Sequence, residues 1–177
     1  MRLFIALDPP PHILPELNPL LEFPLASAKR VPLEQIHLTL RFLGECSAEL
    51  LEAAKTHCAA IQSLPFSLHM KGVGCFPNSA QPRVLWVGVE APPRLFELQS
   101  QVERTVQAMG LAPEPKAFHP HFTLARFKTL PKKGLGEFVE RFKDFTGTPW
   151  QVDHFTLYSS RLTPQGALHH PEAHFPL

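Results

Sequence analysis

The chain carries two closely similar stretches, IHLTLRFLG at residues 36–44 and PHFTLARFK at residues 120–128. Each contains the pattern His-x-Thr-x within an apolar run, and each is followed by an Arg-Phe pair. Residues two apart in a β-strand point to the same face, so each stretch predicts a strand with an imidazole and a hydroxyl side by side. We expect these two strands to decide the fold and to face one another across a shared site.

A third His-x-Thr-x, at residues 154–157, shows that the short pattern alone is weak evidence. In a chain with ten histidines, the pattern is expected to occur by chance on the order of once. The first two copies agree in their apolar flanks and in the following Arg-Phe pair, whereas the third continues into Tyr158-Ser159-Ser160. We interpret the third copy as a coincidence and the first two as a functional pair.

The composition is typical of one folded unit in a reducing compartment. The chain has 177 residues, of which 44% are hydrophobic and 19% charged, and its formal net charge is +1. This charge argues against a long track for duplex nucleic acid but is compatible with a pocket for one nucleotide or an RNA end. The three cysteines form no CxxC pair, and no run of about 18 apolar residues occurs. We therefore expect a cytoplasmic protein that does not span a membrane.

Hydrophobic periodicity predicts strands that alternate with helices, in a similar order around each motif. Strands are expected at residues 2–8, 35–43, 66–73, 83–89, 121–127 and 150–159, and helices at 12–21, 47–62, 93–109 and 136–145. A Pro- and His-rich tail follows. We predict an α+β fold over residues 1–177, a single bilobal domain of two similar lobes with mainly antiparallel sheets flanked by helices. An approximate two-fold axis relates the lobes, and the motif strands face one another across the join between them.

Over nearly its whole length the chain resembles the 2H phosphoesterase superfamily, and within it the bacterial RNA 2′,3′-cyclic phosphodiesterases, also called 2′-5′ RNA ligases. The similarity lies in MRLFIALDPP, IHLTLRFLGE, VGCFPNSAQPRVLWVGV, HPHFTLARF and LYSSRLTPQG. The resemblance implies two α+β lobes around a water-filled cleft, with one motif on each side. It is interrupted after Gly166, where family members often carry Tyr and this chain has His169 and His170.

The resemblance implies a site for a ribose 2′,3′-cyclic phosphate, which water opens to a 2′-phosphate. The residues that match the family motifs are His37, Thr39, His121, Thr123 and Arg126. Two imidazoles with ordinary pKa values of about 6.5 suit an acid and a base that act without a metal. We assign the acid to His37 and the base to His121, although the near-symmetry of the two motifs leaves the reverse assignment open. The threonines would donate hydrogen bonds to the phosphate oxygens, and Arg126 would offset their charge.

The roles of three side chains depend on structural details that the sequence leaves open. Arg41 lies in phase with the first motif if its strand is regular, so it faces either the cleft or the solvated surface. Arg126 is out of phase with His121, so its role needs a bulge or a strand end. Phe76 lies in a loop rich in turn residues and is either a platform for a nucleobase or an anchor into the core.

Two other functions are compatible with these residues. One is a metal-dependent phosphohydrolase that uses histidines of the second motif and the tail, although the chain has no HExxH and no acidic cluster beside its histidines. The other is a non-catalytic module that binds RNA ends. The P-loop pattern for triphosphates is absent, so ligation, which the resemblance alone implies, is expected to need no ATP. We expect no metal, no cofactor and no obligatory protein partner, and a monomer that acts on RNA ends or nucleoside 2′,3′-cyclic phosphates.

Overall fold

The computed structural model describes residues 1–130, 133–163 and 166–177, and it has the α+β fold that the sequence predicts. The described residues form nine strands: β1 Arg2–Leu7, β2 Ala28–Arg30, β3 Leu38–Glu45, β4 Phe66–Phe76, β5 Val84–Glu90, β6 His121–Phe127, β7 Trp150–Val152, β8 His154–Thr163 and β9 Gly166–Pro176. They also form four α-helices: α1 Asn18–Glu22, α2 Ala48–Cys58, α3 Pro93–Ala108 and α4 Leu135–Phe142.

The strands form one antiparallel sheet whose two halves meet at the motif strands. One half has the order β7-β4-β5-β6, the other has β3-β1-β8-β9, and β2 pairs with β6. In the described part of the chain, β3 and β6 pair through Leu38 and Phe122 alone. This arrangement confirms the predicted pair of lobes. The motif strands lie edge to edge, however, and do not face one another across a gap.

Helix α3 illustrates how apolar periodicity positions an element beside the site. Leu95, Leu98, Val102 and Val106 recur at helical spacing and are fully buried, and the helix packs on β3. Full burial of each such side chain stabilises the fold by roughly 1.5–3 kcal/mol. Gly110 follows the helix with a φ of +88°, a left-handed conformation that glycine adopts without steric cost.

The largest difference from the sequence prediction concerns the last 28 residues, 150–177. The predicted strand at 150–159 is two strands, β7 and β8, which lie in different halves of the sheet. The tail forms β9, which pairs along β8 at the edge of the sheet. Pro171 is tolerated there because Glu172 is an extra residue in a bulge of this edge strand. The β8–β9 hairpin thereby brings His169 and His174 into the sheet.

Candidate active site

The pairing of Leu38 with Phe122 places both motifs at the centre of the sheet. Both side chains are fully buried, so the residues on either side of them point to the opposite face. Because the two strands are antiparallel, the histidine of each motif lies beside the threonine of the other. The structure therefore brings together two imidazoles and two hydroxyls on one face of the sheet, from His37, Thr39, His121 and Thr123.

Main-chain carbonyl groups hold both imidazoles in the same way. Nδ1 of His37 lies 2.8 Å from the carbonyl oxygen of Gln35, and Nδ1 of His121 lies 2.6 Å from that of His119. Since a carbonyl oxygen only accepts hydrogen bonds, Nδ1 of each ring carries a proton and donates it. Nε2 of each ring is left to take up or release a proton, which a general base or acid must do.

His37 lies among aromatic rings from β1, β8 and β9. Phe4 stacks on it with the ring centroids 4.7 Å apart, and His169 meets it edge to face at 5.1 Å. Burial among these rings lowers the pKa of His37 to about 4, while the nearby carboxylate of Asp8 opposes the shift. His37 is therefore neutral near pH 7 when no substrate is bound.

His121 lies in an aromatic group of the other lobe. Phe76 meets its ring edge to face at 4.9 Å, and the Trp86 ring lies 6.2 Å away. Burial lowers the pKa of His121, and the charge of Arg126 lowers it further. The placement of Phe76 in a turn-rich loop is wrong, because strand β4 extends to this residue, which also packs on Trp86 at 5.2 Å. The structure thus places Phe76 beside the second motif, where the predicted contact with a nucleobase stays a prediction.

A β-bulge puts Arg126 on the same face as the second motif. On β5, Trp86 pairs with Thr123 and Leu85 pairs with Ala125, so Leu124 is an extra residue in β6. The extra residue shifts the alternation of side chains by one position. Arg126 consequently points to the face that carries Thr123, and its positive charge lowers the pKa of both motif histidines.

A matching bulge in β3 sends Arg41 to the other face. Thr39 pairs with Ala6 and Arg41 pairs with Ile5, so the residue between them, Leu40, is the extra one. The guanidinium is buried against the end of α3, where Nε lies 2.7 Å from Glu103. The expectation that Arg41 faces either the cleft or solvent is therefore wrong, because it assumed a regular strand.

Arg41 is the centre of a buried polar group behind the sheet. Its Nη1 lies 3.1 Å from Glu114, and its Nη2 donates a 2.5 Å hydrogen bond to the carbonyl oxygen of Ala112. The contact of Nε with Glu103 has the distance of an ion pair but not the angles of a hydrogen bond. These contacts tie β3 to the segment that follows α3, which leads to the second motif.

Several residues near His37 escaped the sequence analysis. The buried hydroxyl of Thr156 donates to Asp8 Oδ2 at 3.0 Å and accepts from Nδ1 of His174 at 3.0 Å. Burial raises the pKa of Tyr158, and the charge of Asp8 raises it further. The only sequence signal for this group was the third His-x-Thr copy. Its threonine positions Asp8, while its histidine, His154, pairs with Asp153 at 2.6 Å.

The described residues contain neither a cluster of metal donors nor a membrane-spanning helix. Across residues 1–130, 133–163 and 166–177, no group of three or more His, Cys, Asp or Glu side chains is placed to hold a metal ion. None of the helices in these ranges is long and apolar enough to cross a membrane.

An α+β sheet with approximate two-fold symmetry and two central His-x-Thr motifs defines a 2H phosphoesterase. The family model described as LigT like Phosphoesterase matches this chain twice, over residues 7–86 and over residues 87–169. Each match contains one motif. The chain therefore belongs to the LigT-like phosphoesterase family.

Similar proteins cover almost the whole chain. The RNA 2′,3′-cyclic phosphodiesterase of Methanocaldococcus jannaschii is 34% identical over 171 residues, which are 96% of this chain and 96% of that protein. The protein of the same name from Thermotoga maritima is 35% identical over 174 residues, 96% of this chain and 91% of its own length. The structure of TT0787 from Thermus thermophilus has a TM-score of 0.85 at 31% identity and covers 100% of this chain and 98% of its own. The structure of Escherichia coli LigT complexed with 3′-AMP has a TM-score of 0.83 at 29% identity, and the match covers 99% of this chain and 97% of the LigT chain.

Proposed function

We propose that this protein is an RNA 2′,3′-cyclic phosphodiesterase, which opens the cyclic phosphate at an RNA end to a 2′-phosphate. The observation that carries the proposal is the pair of imidazoles held by main-chain carbonyl groups beside two threonine hydroxyls. The names of the relatives described above support the same substrate. The proposed acting unit is a single bilobal domain over residues 1–177.

In the proposed reaction a water molecule attacks phosphorus in line with the departing 3′ oxygen. One imidazole, unprotonated at Nε2, removes a proton from the water as the new P–O bond forms. The other imidazole, protonated at Nε2, donates its proton to the 3′ oxygen as the old P–O bond breaks. Thr39 and Thr123 donate hydrogen bonds to the non-bridging oxygens, and the charge of Arg126 stabilises the transition state.

Burial supports His37 as the base and His121 as the acid, which reverses the assignment made from the sequence. The base must start neutral, and His37 is held neutral between Phe4 and His169 with a pKa of about 4. The phosphate anion raises the pKa of both imidazoles when it binds, because an opposite charge favours the protonated form. The imidazole that is less costly to charge, His121, then carries the proton.

The test is incubation with an RNA that ends in a 2′,3′-cyclic phosphate, with EDTA present, followed by identification of the product end. We expect a 2′-phosphate at full rate. A 3′-phosphate would mean that the other oxygen leaves, and loss of activity in EDTA would favour a metal-dependent phosphohydrolase. Binding without turnover, weakened in His37→Ala, would instead favour the non-catalytic module.

Three alanine variants test which histidines act. His37→Ala and His121→Ala should each lower turnover by about two to four orders of magnitude, the usual contribution of one positioned acid or base. His154→Ala, the matched control from the third motif, should stay near wild type. A substrate with sulfur in place of the 3′ oxygen needs no proton on its leaving group. It should therefore restore the activity of the variant that lacks the acid, His121→Ala, and rescue of His37→Ala instead would reverse the assignment.

The same ring opening with another nucleophile would join two RNA ends. When a 5′ hydroxyl takes the place of water, it bonds to phosphorus as the P–O bond to the 3′ oxygen breaks and the 3′ oxygen takes up a proton. A 2′-5′ linkage then forms without ATP, because opening the strained ring supplies the free energy. We propose this ligation as a second activity, and a monomer acting on RNA ends in the cytoplasm as the working form. The unpaired thiols of Cys46, Cys58 and Cys75 are compatible with that reducing compartment.

A further inference from the structure

Lys29 lies beside Arg126 on the face of the sheet that carries the motifs. β2 pairs antiparallel with the end of β6, and in this ladder Lys29 is directly opposite Arg126. Directly opposite residues of an antiparallel pair point to the same side of the sheet. Since the bulge at Leu124 turns Arg126 to the side of Thr123, the Lys29 side chain is on that side as well.

The two cations form a like-charge pair that the fold does not neutralise. Like charges directly opposite each other in a sheet are destabilising. Within residues 1–130, 133–163 and 166–177, the ion pairs include neither Lys29 nor Arg126. Both side chains are exposed. An arrangement that costs folding free energy and faces the site is expected where an anion binds.

The charge of Lys29 acts less on the motif histidines than the charge of Arg126 does. The charge of Arg126 lowers the pKa of both His37 and His121, whereas the charge of Lys29 contributes to neither shift. Nζ of Lys29 instead approaches the start of β9, where a β-carbon on Gly166 would lie 3.7 Å from it. β9 also carries His169, which contacts His37. The ammonium group therefore lies at the margin of the site, between β6 and the β8–β9 hairpin.

We propose that Lys29 forms a second phosphate subsite, which binds the phosphodiester between the terminal nucleotide and the one before it. The inference rests on the proposed function and adds a residue that contacts the RNA strand beyond its terminal nucleotide. Arg126 faces the reacting phosphate, and Lys29, at the margin, meets the next phosphate along the strand. A lysine suits this position because its ammonium is a point charge that tolerates several phosphate orientations.

The experiment compares two substrates that share one terminal nucleoside, adenosine 2′,3′-cyclic phosphate and the dinucleotide that ends in it. The measured quantity is the ratio of kcat/KM for the dinucleotide to that for the mononucleotide. Lys29→Gln should lower this ratio by up to about fivefold, the upper range for one exposed charge pair. It should also reduce the salt dependence of dinucleotide turnover by a slope of about 0.7, the value for one phosphate contact with a single strand. Lys55→Gln, with the same charge change on α2, should keep the ratio of the wild type.

A dinucleotide with an uncharged methylphosphonate linkage completes the design, because Lys29→Gln should have no further effect on its turnover. An equal loss on the mononucleotide and the dinucleotide would overturn the proposal, since Lys29 would then act on the terminal phosphate. An unchanged ratio would overturn it as well. Equilibrium binding of the dinucleotide 2′-phosphate and of its methylphosphonate analogue detects the Lys29 contact without turnover. Absence of hydrolysis therefore refutes the proposed function alone, and equal binding by wild type and Lys29→Gln refutes the subsite.

Discussion

Replacing Arg41 by Met tests whether this arginine stabilises the fold or binds phosphate. The guanidinium is 8% exposed and lies within 2.7 Å of Glu103 and 3.1 Å of Glu114. Methionine keeps part of the apolar volume of the side chain but removes its charge. The carboxylate of Glu103, which is only 18% exposed, would then lose its cation.

The size of the effect follows from the burial of the two carboxylates. Removing one partner of a buried ion pair costs about 3–5 kcal/mol. Because Glu103 keeps some exposure and Glu114 is 34% exposed, we expect the lower end of that range, about 3 kcal/mol. In a chain of 177 residues, 1 kcal/mol corresponds to about 2–4 °C in Tm. Arg41→Met should therefore lower the Tm by roughly 6–12 °C.

Thermal and urea unfolding at pH 7, followed by circular dichroism, measure this loss. The double variant Arg41→Met with Glu103→Leu should recover most of the stability, because it leaves no unpaired carboxylate behind the sheet. Both variants should keep a kcat/KM close to that of wild type when assayed well below their Tm. An Arg41→Met protein that unfolds at the wild-type Tm but has lost kcat/KM would refute this reasoning and return Arg41 to the phosphate site.

The stability difference should also depend on pH. Burial acts to raise the pKa of Glu103, but hydrogen bonds from Gln107 and the Glu114 amide, with the charge of Arg41, lower it overall. A carboxylate whose pKa is lowered by folding stabilises the protein above its unfolded value of 4.5, and this contribution is lost as the pH falls through the folded value. The difference in unfolding free energy between wild type and Arg41→Met should thus be largest near neutrality and shrink below about pH 4.5.

Substitutions at Gly74 and at His169, each with a matched control, test the surroundings of the histidines. Gly74→Ala should lower both Tm and kcat/KM, because its β-carbon would lie 2.3 Å from Trp86 ring carbons, and the ring must move by about 1 Å at a cost of about 1–3 kcal/mol. Gly136→Ala, where nothing lies within 4 Å, should leave both quantities unchanged or raise Tm slightly, and equal losses in the two variants would contradict the steric argument. His169→Ala should raise the pKa of His37 from about 4 toward its ordinary 6.5 by admitting water, whereas His169→Phe should keep it low. NMR titration of the His37 ring measures both values, and identical values in the two variants would show that burial by residue 169 is not the cause.

Local periodicity was sufficient to predict the elements whose residues repeat without interruption. The second motif strand has the predicted bounds, 121–127, and α3 differs from the prediction by one residue. Both have apolar residues at the spacing of their own secondary structure. Ser47, a residue type that is preferred at helix N-termini, caps α2 by accepting a hydrogen bond from the Leu50 amide. Such signals lie within one segment and need no knowledge of its neighbours.

The two bulges could not be predicted in this way. Leu40 and Leu124 are identified as bulge residues only by comparison with the partner strands β1 and β5. The register between two strands depends on residues far apart in sequence, so the local pattern does not contain it. For Arg126 a bulge or a strand end was expected, because this residue is out of phase with His121, whereas Arg41 was placed on the assumption of a regular strand. Because Leu40 is an extra residue, the side chain of Arg41 points to the face of the sheet opposite to the one that a regular strand predicts.

The contacts around His37 were hidden for a related reason. Asp8 and Thr156 are separated by 148 residues in sequence and meet only because β1 pairs with β8. His169 reaches the site on β9, in the Pro- and His-rich tail for which no strand was predicted. Single-sequence patterns carry no information on such pairs, so the second layer of the site was visible only in three dimensions.

The hydrogen bonds from the two Nδ1 atoms have a consequence for how the protein tolerates mutation. In many enzymes a carboxylate side chain orients the histidine, so one base change in the gene can remove the acceptor and leave the wrong tautomer. Here the acceptors are the carbonyl oxygens of residues 35 and 119, which every amino acid possesses. Sequence drift at these two positions can alter the side chain but not the acceptor. Related chains can therefore differ in the side chains at residues 35 and 119 while Nδ1 of both imidazoles keeps its acceptor and its proton.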